Sequence, residues 1–173
     1  YIEKTYNQVV SDLDTLYTDK GKEALNMLNI PMMKPEIVKM IGQFYLRFSY
    51  GQNLWQHSIE VAKICEAIAS EFGLDTLLAK KAGLLHDIGK ILANTGESHA
   101  KVGAEVLKKF GMDPIIINAA EAHHYDVPID NAYAWIVTAA DAMSASRPGA
   151  RFNTKELFIE KMTELEKLIN EIP

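Results

Sequence analysis

A histidine and an aspartate stand side by side at the end of an apolar run in this sequence, as His86-Asp87. Adjacent imidazole and carboxylate groups can bind one divalent cation together, the first through nitrogen and the second through oxygen. The chain has five histidines in all, few enough to be weighed one by one. With two aspartates they make up the candidate metal ligands, which are His57, His86, Asp87, His99, His123, His124 and Asp141.

The mixture of donor types predicts which metals this set would hold. Imidazole with carboxylate suits manganese, iron, nickel or zinc, and magnesium, which prefers oxygen donors, is the alternative. Seven donors are too many for one tetrahedral ion, but they match two octahedral ions that share one carboxylate and keep positions for water. We therefore expect two divalent ions bridged by Asp87. One division gives His57, His86, Asp87 and Asp141 to the first ion, and Asp87, His99, His123 and His124 to the second.

Two divalent ions held about 3.5–4 Å apart are a known arrangement for the hydrolysis of phosphate esters. Each ion lowers the pKa of bound water, so that a metal-bound hydroxide exists at neutral pH and can attack phosphorus. A cation near the phosphate or the leaving group would help. Lys90 lies four residues beyond His86 and would share its helix face if that helix continued. We therefore predict that Asp87 and Lys90 are catalytic and that Lys90 also binds substrate, with an ordinary surface lysine as the alternative.

Each candidate ligand also has an ordinary structural explanation. His57 lies on the apolar stripe of a predicted helix and could be a core histidine, whereas His99 could be solvated in a first helical turn. The pair His123-His124 could interact with the dipole at a helix C-terminus. Asp141 follows a long apolar run, where a buried carboxylate is costly unless it is paired, hydrogen-bonded or metal-bound. Because a structural origin would need seven independent placements, the pattern favours a metal site.

Length and composition predict one ordinary globular domain. The chain has 173 residues and a net charge of −5, which argues against nucleic-acid binding through a broadly basic surface. The charge does not exclude phosphate substrates, because bound divalent ions would supply local positive charge. The single Cys65 permits no internal disulfide, so we expect a reducing compartment and a cysteine packed in the core. The chain begins at Tyr1, which suggests a fragment of a longer parent, and it shows no membrane span or signal peptide.

Apolar spacing of three and four residues predicts an all-α fold, since no stretch shows sustained alternation of apolar and polar residues. The predicted helices cover residues 2–17, 20–29, 35–47, 53–72, 75–88, 99–110, 114–124, 131–145 and 154–170. Residues 49–53 are predicted to form a turn. We divide the chain into an N-terminal helical flank at 1–34, a core at 35–152 and a C-terminal helix at 153–173.

Helix boundary signals place the candidate ligands near helix ends. Asp75, Ser98 and Asp113 are typical N-caps, and Gly73 and Gly111 are typical of positions just beyond a helix C-terminus. By these signals one helix ends at His86-Asp87, another carries His99 in its first turn, and a third ends at His123-His124. Helix ends from different parts of the chain would then have to converge to form one site.

The pattern of His57, His86-Asp87 and Asp141 resembles the HD-domain superfamily of metal-dependent phosphohydrolases, and the further histidines resemble its two-metal branch. More narrowly, residues 35–170 are similar to the HD domain of the ribonuclease Y family. The stretches that carry this likeness are Arg47-Phe48-Ser49-Tyr50-Gly51-Gln52-Asn53, residues 57–61, residues 82–90, Ala122-His123-His124 and residues 139–151. The resemblance implies an HD-domain helical bundle with a metal site between core helices.

The same resemblance implies a bacterial endoribonuclease that cuts single-stranded RNA. By that analogy Arg147 and Arg151 bind substrate near the RNA backbone, although a solvated turn would also explain them. The resemblance further implies a homodimer in the cytoplasm, with membrane attachment only through a segment of the parent chain that is absent here. Two alternatives stay open, namely a nucleotide or cyclic-dinucleotide phosphohydrolase, and a dimerising or interaction module of a larger assembly.

Overall fold

Seven α-helices make up most of the computed structural model, which describes residues 1–94, 96–150 and 163. They are α1 (Ile2–Met27), α2 (Pro35–Gln43), α3 (Leu54–Glu71), α4 (Thr76–Leu85), α5 (His99–Lys109), α6 (Pro114–Ala122) and α7 (Ala132–Ser146). Two short 3₁₀ helices cover Phe44–Leu46 and Ile88–Ile91, and a small antiparallel hairpin pairs β1 (Phe48–Ser49) with β2 (Gln52–Asn53). The prediction of an all-α fold is confirmed, while the predicted helix at 154–170 lies outside the described residues apart from position 163.

Side-chain caps fix where the helices of the site begin. The Asp75 carboxylate accepts hydrogen bonds from the backbone N–H groups of Leu77 and Leu78, and the Ser98 hydroxyl accepts one from Lys101. Each bond satisfies a backbone donor that the first turn of a helix leaves unpaired. Gly73 and Gly111 adopt positive φ angles of 66° and 67° just after α3 and α5, as predicted.

The N-terminal segment is one continuous helix, so the prediction of two helices at 2–17 and 20–29 is wrong. Gly21 lowers local helix propensity, but α1 continues through it, and α2 packs closely against the helix at this point. A Cβ atom on Gly21 would be 1.9 Å from the carbonyl oxygen of Val38. The close backbone approach therefore requires glycine inside the helix. The second half of α1 joins the common core through Ala24 and Leu25.

Three other predicted boundaries change in the structure. The α2 helix ends at Gln43 and continues as a 3₁₀ turn, whereas the prediction extended it to residue 47. Residues 49–53, predicted as a turn, belong to the β1–β2 hairpin. The α4 helix ends at Leu85 rather than at 88. Its C-cap His86 keeps helical backbone angles, whereas Asp87 departs from them.

Helix α3 is central to the bundle, packing against α4 and α7, while α6 packs against α4, α5 and α7. The apolar core runs through all of these contacts, and Cys65 is fully buried in it. Burial raises the pKa of the Cys65 thiol to about 12, so this cysteine is an inert packing residue, as predicted. Among the described helices, none has the length and apolar character that crossing a bilayer demands.

Candidate metal centre

Five helices bring the seven predicted ligands to one place. His57 lies on α3 and Asp141 on α7, whereas His86 and His123 are the C-cap residues of α4 and α6. His99 is the first residue of α5, so the Ser98 cap positions it directly. We call this group the donor cluster: His57, His86, Asp87, His99, His123, His124 and Asp141.

Asp87 lies at the middle of the donor cluster, and its two oxygens face different histidines. Oδ2 is 3.3 Å from Nε2 of His86 and 3.7 Å from Nε2 of His57. Oδ1 is 3.3 Å from Nε2 of His99 and 3.7 Å from Nε2 of His123. A carboxylate with one oxygen on each side is the geometry that a bridging ligand needs, and the two sides match the division made from the sequence.

The remaining two donors complete the two sides. Asp141 Oδ1 is 3.1 Å from Nε2 of His57 and 3.9 Å from Nε2 of His86. His124 Nε2 is 3.1 Å from His99 Nε2. A cation bound at about 2.0–2.2 Å from each donor brings neighbouring donors to about 3.0–3.5 Å from one another. Most of these separations are therefore close to those of a shared coordination shell.

Buried polar atoms without hydrogen-bond partners indicate what the cluster lacks. Within the described part of the chain, Nε2 of His86, Nε2 of His123 and Oδ1 of Asp87 are buried and make no hydrogen bond. Leaving such atoms unpaired costs free energy, which a bound cation would recover. All three belong to the donor cluster, whereas a fourth such atom, the hydroxyl oxygen of Ser58, lies outside it, so the residues present fit a divalent metal centre.

The histidine rings are oriented by hydrogen bonds on their outer nitrogens. Nδ1 of His86 donates to the carbonyl oxygen of Gly83, and Nδ1 of His123 donates to that of Ala120, both at 2.7 Å. Each bond places the proton on Nδ1 and turns the Nε2 lone pair toward Asp87. This pattern is typical of metal-binding histidines.

His57 has a longer supporting chain, which the sequence analysis missed. Its Nδ1 lies 3.0 Å from the Ser144 hydroxyl, which donates to Glu60 Oε2 at 2.8 Å. Glu60 in turn forms an ion pair with Arg147, at 2.7 Å. Glu60 lies three residues after His57 and Ser144 three after Asp141, so a search for polar residues one helical turn from each ligand could have found them.

The charges of the cluster keep its carboxylates ionised. Burial acts to raise the pKa of Asp87, but His86, His99 and Lys90 hold it well below its usual range. Burial likewise acts against ionisation of Asp141, yet His57 and His86 lower its pKa. Burial lowers the pKa of His123 to about 3, so this ring is neutral at pH 7. Burial also acts to lower the pKa of His86, but Asp87 and Asp141 raise it. Ionised carboxylates and neutral imidazole are the protonation states in which these groups bind metals.

Lys90 reaches the cluster by a route that differs from the predicted one. The α4 helix does not continue to it, and Lys90 instead lies on the 3₁₀ helix after Asp87. Its Nζ is 2.6 Å from Asp87 Oδ2, so it forms an ion pair with the central carboxylate. The Lys90 side chain is 24% exposed and also faces the cleft outside the cluster.

That cleft has a volume of about 580 Å³, in the range of roughly 300–1,000 Å³ that small-ligand sites occupy. One wall consists of Lys90 and the exposed part of the donor cluster. The rest of the lining consists of the first half of the hairpin, the residue before it and Leu54, to which the sequence had assigned no role. The lining residues of the cleft are Arg47, Phe48, Ser49, Tyr50, Leu54, Lys90, His99, His124 and Asp141.

Of the two arginines predicted to bind substrate, one does not line this cleft and the other lies outside the described residues. Arg147 is half-exposed and contacts Glu60, behind His57, rather than lining this cleft. Arg151 lies outside the described residues. Arg47, which follows the first 3₁₀ helix, is the arginine that lines the cleft.

Replacing Ser144 with alanine should weaken metal binding about 10- to 100-fold, because it removes the hydrogen bond that orients His57. The measurement is competition with a chelator of known manganese affinity. Ser146→Ala is the matched control, since its hydroxyl is exposed on the same helix and contacts only the carbonyl oxygen of Met143. Equal metal affinity in the two variants would show that Ser144 does not orient the ligand.

Comparison with known proteins agrees with the geometry. Ribonuclease Y of Fusobacterium nucleatum subsp. nucleatum is 49% identical over 170 residues, covering 98% of this chain and 34% of that protein. Ribonuclease Y of Mycoplasma mycoides subsp. mycoides is 49% identical over 173 residues, covering 99% and 34%. Ribonuclease Y of Staphylococcus epidermidis is 44% identical over 168 residues, covering 96% and 32%. The chain thus spans about a third of the length of these curated relatives.

No solved structure matches the chain. The sequence profile of the HD domain family matches residues 54–146, which is more than half of the chain. This range begins at the first residue of α3 and ends at the last residue of α7. It therefore contains every helix that contributes to the donor cluster, and the chain belongs to the HD domain family.

Proposed function

We propose that this chain is the hydrolytic domain of a ribonuclease Y-like endoribonuclease that cleaves single-stranded RNA with divalent metal ions. The observation that carries the proposal is the buried Asp87 carboxylate, whose two oxygens face separate pairs of histidines. The RNA substrate rests on the relatives, which are named ribonuclease Y and match nearly the whole of this chain.

The reaction is hydrolysis of a phosphodiester. A water oxygen forms a bond to phosphorus, the bond from phosphorus to the ribose oxygen breaks, and the leaving oxygen takes up a proton. Two divalent cations, when bound, would lower the pKa of water and neutralise charge on the phosphate. The chain supplies the ionised Asp87 and Asp141 and histidine nitrogens already turned toward them.

Cationic side chains would hold the phosphate in the cleft. Arg47 lines the cleft and can approach a phosphate from the hairpin side. Lys90 forms an ion pair with Asp87 and also faces the cleft, so its ammonium group would be within reach of a phosphate there. On this basis we propose that Lys90 binds substrate. We propose Arg147 and Arg151 only for contacts with parts of the RNA that lie beyond the cleft.

The donor types favour manganese, iron, nickel or zinc over magnesium, and we propose two ions because Asp87 has donors on both sides. A reducing, cytoplasmic location agrees with a buried free cysteine. Any membrane anchor would belong to a parent-chain segment outside these residues.

The first half of α1 leaves apolar side chains exposed, among them Tyr6 and Val9. This exposure supports a homodimer, which light scattering can test.

A nucleotide or cyclic-dinucleotide substrate is the competing function, and the net charge of −5 favours it, because a long RNA is repelled by an acidic surface. The cleft itself is the size of a small-ligand site. Both functions use the same donor cluster. They differ only in whether the substrate extends beyond the cleft.

The chain should cleave a labelled single-stranded RNA in manganese and lose this activity in excess chelator, with a cyclic dinucleotide turned over much more slowly. The paired assay measures initial rates on both substrates under the same conditions. Faster hydrolysis of the cyclic dinucleotide would replace the RNA assignment but keep the metal centre. Cleavage that persists after metal removal would contradict the proposed chemistry altogether.

A further inference from the structure

Two aromatic side chains stand exposed at the mouth of the cleft. Phe48 and Tyr50 are 69% and 78% exposed, and both line the cleft that contains Lys90 and part of the donor cluster. Single exposed aromatic residues are ordinary on protein surfaces, but two beside a polar, charged cleft form an aromatic wall where a ligand would pass.

The hairpin that carries them is held firmly to the bundle. The β1 and β2 strands pair Phe48 with Asn53 and Ser49 with Gln52. The buried Gln52 amide donates to the Ser144 hydroxyl at 3.3 Å, and the Asn53 amide donates to the carbonyl oxygen of Tyr45 at 2.9 Å. The aromatic wall is thus anchored beside the residue that orients His57. Such preorganisation lowers the ordering cost of binding a ligand.

The turn of the hairpin carries an unusual residue. Tyr50 and Gly51 have φ angles of 51° and 82°, as the two central residues of a type I′ turn require. Asparagine or glycine fits the first of these positions with less strain than a bulky aromatic residue. Tyrosine is therefore placed there against local backbone preference, which is typical of a side chain with a role in binding.

The other walls of the cleft identify the ligand chemistry. Arg47 and Lys90 suit a phosphate, the donor cluster suits its metal ions, and an aromatic wall suits a planar group attached close to that phosphate. A nucleobase next to a phosphodiester has all of these features, and unpaired bases stack on aromatic side chains with little dependence on sequence.

We infer that Phe48 and Tyr50 form a stacking site for an unpaired nucleobase adjacent to the phosphodiester at the donor cluster, with Arg47 beside the backbone. The inference rests on the proposed function and deepens it, because it assigns the preference for single strands to the cleft itself. A base inside a duplex is already stacked and paired, so it cannot lie against this wall.

The test uses the whole 173-residue chain and a short single-stranded RNA with one 2-aminopurine, whose fluorescence is quenched when the base stacks. Binding is measured in chelator, so the result does not depend on catalysis. Phe48→Ala and Phe48→Leu should weaken binding on the order of 5- to 100-fold and reduce the quenching, whereas Phe48→Trp should keep both. Phe72→Ala, at a 74% exposed phenylalanine outside the cleft, should match the parent chain.

A second substrate separates stacking from a structural role of Phe48. On an RNA of the same length in which every nucleotide is abasic, the parent chain and Phe48→Ala should bind equally, because no base is left to stack. The inference would be overturned if Phe48→Ala lost the same affinity for intact and for abasic RNA. It would also be overturned if Phe48→Ala lost no affinity for intact RNA, and that result would point to a protein partner for this surface. Base-dependent binding without RNA cleavage would uphold the stacking site while ending the endoribonuclease proposal.

Discussion

Asp87→Asn should lower the proposed RNA cleavage in manganese by at least about 10³-fold and abolish binding of one of the two proposed metal ions. The substitution keeps the size of the side chain but removes the negative charge that both sides of the donor cluster share. Losing a bridging carboxylate removes transition-state stabilisation of more than about 4 kcal/mol, which corresponds to this rate change. The measurements are initial cleavage rates and metal stoichiometry by titration calorimetry.

The fold should survive this change, because asparagine fits the same space. Asp19→Asn is the matched control, since it removes the same charge from an exposed position on α1. Equal loss of activity in both variants would indicate a general effect of charge. Full activity and two bound ions in Asp87→Asn would show that Asp87 is not the bridging ligand, and the proposed metal centre would then be wrong.

Gly89→Ala should disrupt the half of the centre built on His99 while leaving the half built on His57. A Cβ atom on Gly89 would lie 1.9 Å from the carbonyl oxygen of His99 and 2.6 Å from the backbone nitrogen of Gly103. Both atoms belong to the α5 backbone, so the start of α5 must move away from the 3₁₀ helix that follows Asp87. We expect a loss of about 2–4 kcal/mol in the free energy of unfolding and one bound metal ion instead of two.

Gly103→Ala probes the same contact from the other side and serves as the comparison. Its Cβ would be 3.1 Å from the backbone nitrogen of Gly89, a tight but tolerable contact, so its effects should be much smaller. The measurements are the stability of both variants by thermal unfolding and their metal stoichiometry by titration. Two bound ions and parental stability in Gly89→Ala would mean that α5 does not position His99 through this contact.

Residue types and spacing were sufficient to identify most of the described helices and the group of side chains that the structure brings together. Helix caps and apolar periodicity act between residues three or four apart, so Asp75 and Ser98 could be recognised as caps without tertiary information. The sequence analysis also indicated Asp87 as the shared carboxylate, because it lies directly beside His86. All of these signals are local in the chain.

Contacts between distant parts of the chain could not be predicted in the same way. Lys90 was placed by extending α4, but the helix ends at Leu85 and the lysine reaches Asp87 through a 3₁₀ turn. Arg147 was predicted to bind substrate, and its contact with Glu60, 87 positions earlier in the chain, was not predicted. Nothing in the local sequence of either residue specifies its partner.

The sequence by itself determined the helical pattern and the chemistry of the donor set, since both depend on residue identity and short spacing. Only the tertiary structure decided which oxygen of Asp87 faces which histidines and which side chains line the cleft beside them. Those arrangements depend on how closely helices approach, as where Gly89 meets α5 and where Gln52 holds the hairpin against α7. Such packing is a property of surfaces that meet only in the folded chain.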